Sequence, residues 1–380
     1  MSNVLPANYS RSFSAITYVE VNGDTYYYSL YDEALNARSI AYIAEAALLD
    51  LSDTQEDEYQ NAVDGKYSPY TSAQRTILSG FCRSVTVMSY NVEVYGHDGN
   101  GGSGDAWDGR NPAKSMEIIL GVSPDILGLQ EVNAHLNDNP YYCITTLINN
   151  GYTRIQGDTG TSNWPELYYK TARFTKLGSG YKRYSALKTT YSSTVPDNGA
   201  DMDRDQQGRL FTWAKLQDNQ TGRVILAIST HLHFRKQNPN DGDGYKDENA
   251  AVRRYEIRLM LAWIADQTGY DAVVIVGDMN DDYQGREGGR GRTTIETYLN
   301  AGYKNARDYA AVQGDIGGTL NGKGEGEVKR SLRNAWIYDY IFTGEGASVA
   351  YYSVVDQKID NNGTSYPSDH LPIMATIVID

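Results

Sequence analysis

The sequence predicts an α/β or α+β sandwich preceded by a small hairpin-and-helix unit. Three observations carry this. From residue 84 onward, apolar runs of strand length alternate with segments of helical periodicity, the pattern of a layered fold. Ahead of them, two runs rich in β-branched and tyrosine residues flank Asn22-Gly23, a dipeptide that supplies the two positive φ angles of a tight hairpin. The 380 residues are 40% hydrophobic and 22% charged, close to ordinary globular composition, which excludes wholesale disorder, collagen-like repeats and a heptad rod.

The elements follow in order. Residues 16–21 and 25–30 make the hairpin. Asp32 caps a helix through about residue 49, with Ala37, Ile40, Ala41, Ala44 and Leu48 at helical spacing on one face. A polar segment over 50–68 leads to a second short helix over 71–81. This first unit, residues 1–82, carries no recognisable chemistry and reads as an appendage for packing, docking or oligomerisation. The second unit, residues 83–380, is the layered domain. Its strands are predicted over 85–92, 126–132, 166–170, 210–216, 224–232, 272–276, 338–343, 347–355 and 372–379. The clearest helix between them covers 248–267, where Val252, Tyr255, Leu259 and Trp263 form a stripe. Glycine-rich stretches over 96–110 and 284–292 read as long loops, which compact domains use for function or leave disordered.

A net charge of -14, from 34 basic against 48 acidic residues, excludes a broad basic face for gripping nucleic acid. It leaves room for a small cationic cleft, for which Arg204, Arg209, Arg235, Lys236, Arg286, Arg290 and Arg292 are the candidates. With 32 tyrosines against 6 phenylalanines, many tyrosines are expected on exposed strands and wet surfaces. Cys82 and Cys143 are too few for a disulfide framework or a cysteine metal site and read as two buried thiols. Nothing in the chain is apolar for long enough to span a membrane. The first residues lack a basic stretch followed by an apolar one, so the chain is expected to work inside the cell or to have lost a leader.

Polar residues with chemical potential stand where strands end, the place at which α/β folds build their sites. Asn91 ends SYNV, Glu131 ends GLQE, His231 ends ISTH, Asp278 and Asn280 lie in GDMN, and Asp369 and His370 lie in SDHLPI. One such residue is usually a turn former. Seven, including two of the five histidines, are hard to read as seven turns.

In this order the blocks SYNV, GLQEV, STHL, GDMN, DYIFT and SDHLPI resemble the signature blocks of the endonuclease/exonuclease/phosphatase (DNase I-like) superfamily. The resemblance runs from about residue 84 to 380. It implies a four-layered α/β/β/α sandwich, two mixed sheets packed face to face with helices outside, and a metal-dependent phosphoesterase. By resemblance, Asn91 and Glu131 are the metal site, Asp278 orients or activates water, and Asn280 bonds a phosphate oxygen. His231 and His370 flank the scissile phosphate. Glu166 in ELYYK is then the carboxylate partner of His231, the alternative being a surface carboxylate on an edge strand, and Asp339 is the partner of His370. Asp369 joins the metal or histidine network. The chain departs from the nuclease pattern at Asn133, where DNase-like members often carry a phosphate-contacting arginine, and this weakens a duplex-DNA reading.

The chemistry of the residue types agrees with phosphoester hydrolysis. A phosphodiester is anionic and repels nucleophiles, so a site for it needs a hard cation, a group that aims and deprotonates water, and an acid for the leaving oxygen. A carboxylate beside an amide suits Mg²⁺, with Mn²⁺ the alternative. Arg209 is placed to donate to phosphate or to form an exposed ion pair, and His233 reads as a substrate-contact or loop residue. The acidic stretches 201–205 and 241–247 have alternating carboxylates without the full spacing of a calcium loop; they read as solvated loops, with structural Ca²⁺ the alternative. The functional expectation is a Mg²⁺-dependent phosphodiesterase on nucleic acid. The rivals are a lipid, sugar or inositol phosphoester as substrate, and a non-catalytic binding protein on the same fold.

Overall fold

The computed structural model describes residues 16–21, 24–29, 84–92, 112–132, 140–157, 165–197, 208–234, 249–281, 292–314, 316–319, 337–356, 367–368 and 370–379. Strands β1 (Ile16–Val21) and β2 (Asp24–Ser29) pair antiparallel, with Val21 opposite Asp24, as the Asn-Gly signal predicts. The two helices expected over 32–49 and 71–81 lie outside the described residues.

Two larger sheets follow. The seven-stranded sheet contains β3 (Ser84–Asn91), β4 (Ile126–Gln130), β5 (Tyr152–Ile155), β6 (Glu166–Lys170), β12 (Val312–Gln313), β14 (Ala347–Val354) and β15 (Ile373–Ile379), in the order β12-β14-β15-β3-β4-β6-β5. The six-stranded sheet contains β7 (Phe174–Arg183), β8 (Leu210–Asp218), β9 (Val224–His231), β10 (Ala272–Asp278), β11 (Lys304–Asn305) and β13 (Asp339–Thr343), in the order β11-β13-β10-β9-β8-β7. Both are mixed, because β3 pairs parallel with β4 and β9 pairs parallel with β10, each amid antiparallel neighbours. Strands β5 and β7 have no counterpart in the sequence reading. The solvent-rich pattern of β7, with only Phe174 buried along it, hides it from a search for apolar runs.

Strand alternation sorts the side chains into layers. On β3, Val85 and Val87 enter the core between the sheets while Met88 and Tyr90 pack under helices. On β10, Val274 and Val276 enter that same inner core, whereas Val273 and Ile275 face the opposite way. Helices α1 (Pro112–Val122) and α2 (Pro140–Asn149) cover the seven-stranded sheet through Met116, Ile119 and Leu147. Helices α3 (Tyr184–Thr190), α4 (Ala250–Ala265) and α5 (Arg292–Asn300) cover the six-stranded sheet through Leu187, Leu259, Trp263 and Ile295. The result is the four-layered sandwich. Gly128 marks a close approach of the two sheets, because a Cβ there would stand 2.3 Å from Val276 Cγ2.

Among the described residues, several tyrosines depart from the expectation of wet surfaces. Tyr90, Tyr168, Tyr184 and Tyr298 are 0% exposed. They do the work of phenylalanine in the core, and each hydroxyl finds a partner: Tyr90 with Ser115 Oγ, Tyr168 donating to Glu166, Tyr184 with Thr230 Oγ1 and Tyr298 donating to Met279 Sδ. A ring buries as much apolar area with a hydroxyl as without one, provided the polar tip is bonded. Cys143 is a buried free thiol, pushed up to about 12 by burial; Cys82 lies outside the described residues.

Candidate active site

The inner faces of the two sheets carry polar side chains at one end of the sandwich. On β3 the inner positions Val85, Val87 and Ser89 continue to Asn91; on β9 Ile225, Ala227 and Ser229 continue to His231; on β10 Val274 and Val276 continue to Asp278. Asp339 enters from the start of β13, two residues before inner-facing Ile341. In register, Asp278 lies beside both His231 of β9 and Asp339 of β13. Three adjacent strands of one sheet thus place three functional groups in a row.

Asn91 joins that row to the other sheet. Its side-chain amide donates to Asp278 Oδ2 at 3.0 Å and to Glu131 Oε1 at 3.1 Å. Glu131 would fall on the helix-facing side if strand alternation continued past Gln130, but its φ of 61° turns it into the cleft. Asn280 has a φ of 50° and donates its backbone N–H to Asp278 Oδ1 at 2.8 Å and its side-chain amide to Leu232 O at 3.0 Å. Backbone strain of this kind persists only where surroundings enforce it, and it clusters at functional sites.

The histidines converge on Asp278. Its Oδ2 lies 3.4 Å from His231 Nε2 and 3.7 Å from His370 Nε2. His370 Nδ1 lies 2.8 Å from Asp339 Oδ2, the pairing expected for it. A carboxylate at Nδ1 fixes the tautomer and presents Nε2 to the cleft. Burial pushes the Asp278 carboxyl up to about 7, with the neighbouring Asp339 charge adding to the rise, while His370 and the bonds from Asn280 and Asn91 oppose it.

Two clusters among the described residues could hold a metal ion. The ligand atoms of Glu131, His231 and Asp278 all lie within 4.8 Å of one another, as do those of Asp278, Asp339 and His370. Two carboxylates held on one amide nitrogen call for a positive counter-charge, and their hard oxygens suit a hard divalent cation. Asp339 Oδ1 is buried without a hydrogen-bond partner, a further sign that the site is built for a group the chain does not supply.

Glu166 does not partner His231. It sits on β6 with Tyr168, on the face that packs under the helices, while Leu167 and Tyr169 face inward. It accepts from Arg154 Nε at 2.9 Å, from Arg154 Nη2 and from the Tyr168 hydroxyl. One residue of strand register therefore separates it from the cleft. Asp369 and the two acidic stretches lie outside the described residues, as do the side chains of the basic candidates other than Arg209. Arg209 is half-buried beside the Tyr184 hydroxyl, on the helix-facing side of the sheet. His233 is 5% exposed and its ring stacks on Phe234.

Sequence reasoning missed the groups that hold these residues in place. Ser368 donates to Asn91 O at 2.7 Å and accepts from His370 N at 3.1 Å, tying β3 to the last histidine. Thr319 Oγ1 accepts from the backbone N–H groups of Tyr338 and Asp339, and its carbonyl accepts from Leu371 N. Ser368 stands inside a recognised block, whereas nothing near Thr319 signals a role.

A family model described as the Endonuclease/Exonuclease/phosphatase family matches residues 88–370. The chain belongs to this family. Solved members and relatives share its fold. An endonuclease/exonuclease/phosphatase from Bacteroides vulgatus matches with a TM-score of 0.56 at 20% identity, over 78% of this chain and 99% of its own. The mannosyl-6-phosphatase of Bacteroides thetaiotaomicron matches with a TM-score of 0.55 at 19% identity, over 78% and 100%. D. rerio TDP2, solved with a single-stranded DNA product, matches with a TM-score of 0.51 at 16% identity, over 77% and 98%. No curated protein matches the chain. The family assignment makes the chain's fold that of a phosphoesterase, and the family blocks in its sequence are the segments that deliver Asn91, Glu131, His231, Asp278 and His370 to one cleft. No helix among the described residues is long and apolar enough to cross a membrane.

Proposed function

We propose that the chain is a Mg²⁺-dependent phosphodiesterase that cleaves nucleic acid by in-line attack of an activated water. The observation that carries this reading is the bonding of Asn91 to both Glu131 and Asp278, with two histidines within 3.7 Å of the same Asp278 oxygen. Asn91 and Glu131 would hold the Mg²⁺, with Mn²⁺ able to replace it. When bound, the ion would neutralise phosphate charge as negative charge builds on the leaving oxygen.

The remaining roles follow from the side chains. Asp278, buried and raised to about 7, is poised near neutrality to orient and deprotonate water. Asn280 spends one amide hydrogen on Leu232 O and keeps the second for a phosphate oxygen. His370, aligned by Asp339, and His231 hold protons on either side of the reacting phosphate. His233 is assigned to substrate contact and Asp369 to the network around His370, while Arg209, which faces the helices and not the cleft, is given no substrate role.

Nucleic acid is preferred for the substrate because the TDP2 relative was solved with a DNA product. The net charge of -14 and Asn133 favour single strands over a long duplex. A second reading, a sugar phosphate, draws on the mannosyl-6-phosphatase relative. Purified protein with Mg²⁺ is assayed on single-stranded DNA, RNA, plasmid, sphingomyelin and hexose 6-phosphates, with chelator controls. Chelator-sensitive cleavage of a nucleic acid is expected; turnover of another phosphoester with every nucleic acid untouched would replace the substrate, and no turnover of any phosphoester would remove the enzymatic reading.

A further inference from the structure

The chain leaves the sheet after His231 and again after Asp278 as irregular backbone, yet its polar atoms are fastened one after another. Leu232 N–H donates to Asp278 O and Leu232 O accepts from the Asn280 amide. His233 N–H donates to Glu256 Oε2 at 3.0 Å, and His233 O accepts from Arg253 Nη1 at 3.3 Å. The other side of the same guanidinium reaches the second loop, donating through Nε at 3.3 Å and Nη2 at 3.0 Å to Asp281 Oδ2.

Arg253 and Glu256 lie one turn apart on α4, and both are buried, Arg253 being 0% exposed. A buried ion pair is a poor source of stability, because desolvation offsets the attraction and apolar residues of like volume often do better. What a guanidinium offers and an apolar residue lacks is a rigid fork that reaches two acceptors on two segments at once.

We propose that Arg253 is a positioning residue of the catalytic site: its guanidinium locks the loop after β9 to the loop after β10 and so sets His231 against Asp278 and Asn280. The proposal rests on the reading of those three residues given above. The tie to Asp281 holds the segment in which Asn280 keeps its strained backbone, and the tie to His233 fixes the chain two residues beyond His231.

Three variants test it: Arg253→Lys, Arg253→Met and, as a control, Arg173→Met. Arg173 is also a mostly buried arginine bridging two carboxylates, Asp125 and Asp218, but at the strand ends opposite the cleft. On bis(p-nitrophenyl) phosphate with Mg²⁺, Arg253→Met is expected to lower kcat on the order of tenfold to a hundredfold with KM changed less than about threefold. Arg253→Lys, which keeps the charge and loses the fork, should recover only part of this. Arg173→Met should lose comparable thermal stability and keep kcat. Equal kcat in Arg253→Met and Arg173→Met would overturn the proposal. If Arg253→Met does not fold, Arg253→Lys and the isosteric Asp281→Asn carry the same comparison.

If the unmodified protein does not turn over this phosphodiester, the functional reading loses its support and the positioning claim is read directly from histidine NMR. The His231 imidazole resonances should then shift in Arg253→Lys and stay in place in Arg173→Met. Unmoved His231 resonances in Arg253→Lys would sink it.

Discussion

Asn91 Nδ2 stands 3.0 Å from Asp278 Oδ2, although 187 residues separate them and each belongs to a different sheet. The same amide nitrogen holds Glu131 at 3.1 Å, so one side chain carries the bond across the cleft and also the bond between the two carboxylates. Removing it takes away the bond that holds the two acids together and leaves His231 Nε2, 3.4 Å from Asp278 and 4.0 Å from Glu131, as the group beside both.

Asn91→Ala should therefore weaken divalent-ion binding more than it weakens the fold. The Mg²⁺ concentration for half-maximal activity is expected to rise about 10- to 100-fold, the usual scale for groups that orient metal-binding carboxylates. Titration of activity with Mg²⁺, together with a thermal melt, measures both; an unchanged Mg²⁺ requirement would remove Asn91 from the metal site.

The Asp278 carboxyl predicts a pH signature in the absence of divalent ions. Its value is raised from 3.8 to about 7 on folding, so the folded chain binds this proton more tightly than the unfolded one. The stability it contributes is fully present below about pH 4 and is lost as pH rises through 7. Asp278→Asn cannot ionise and escapes the loss. Between pH 5 and pH 8 its stability relative to the unmodified protein should improve by roughly 3 kcal/mol, about 1.4 for each unit of the window up to 7. Urea unfolding in chelator at the two pH values decides the matter, and an equal difference at both would contradict it.

Asp339→Asn tests the alignment of His370. The amide can no longer accept from Nδ1–H as a carboxylate does, so the wrong tautomer becomes competitive. A fall in kcat of about 10- to 100-fold with KM nearly unchanged is expected. Steady-state kinetics across pH would show it, and a normal kcat would mean that Asp339 does not act through His370.

Glu166→Gln separates the resemblance from the structure. If Glu166 served His231, kcat would collapse; the structure instead pairs it with Arg154 and Tyr168 under the helices. The expected outcome is near-normal kcat with a loss of about 2 kcal/mol, because a charged bond to a mostly buried arginine is weakened. Kinetics and a denaturant titration on the same preparation distinguish the two.

Much of the layered fold was legible because its central strands are buried on both faces and read as near-continuous apolar runs. Residues 166–170 coincide with β6, and the strand predicted over 224–232 coincides with β9 to within one residue. Strand β7 was not legible, since it lies at a sheet edge and is mostly solvated, and edge strands need no apolar run. Most of the site residues were legible for the same reason that the strands were: Asn91, His231 and Asp278 end conspicuous apolar runs. Their supports were not. Ser368, Thr319, Arg253 and Glu256 act through hydrogen bonds to backbone atoms far away in the chain, and no local pattern encodes such a bond.

The sequence by itself determined a layered α/β fold from residue 83 onward and the set of polar residues at the strand ends, because periodicity is a local property, and the resemblance of its blocks to a known family supplied the layer order. Only the tertiary structure decided which of those residues meet. Strand parity placed Asn91, His231, Asp278 and Asp339 on the inner faces and Glu166 on an outer one, while a left-handed backbone at Glu131 overrode that parity and turned it inward. Tyrosine counts pointed to wet surfaces, yet packing drew Tyr90, Tyr184 and Tyr298 into the core, where a serine, a threonine and a sulfur meet their hydroxyls. Parity and partnership are settled by register between strands, and register is a property of the assembled sheets.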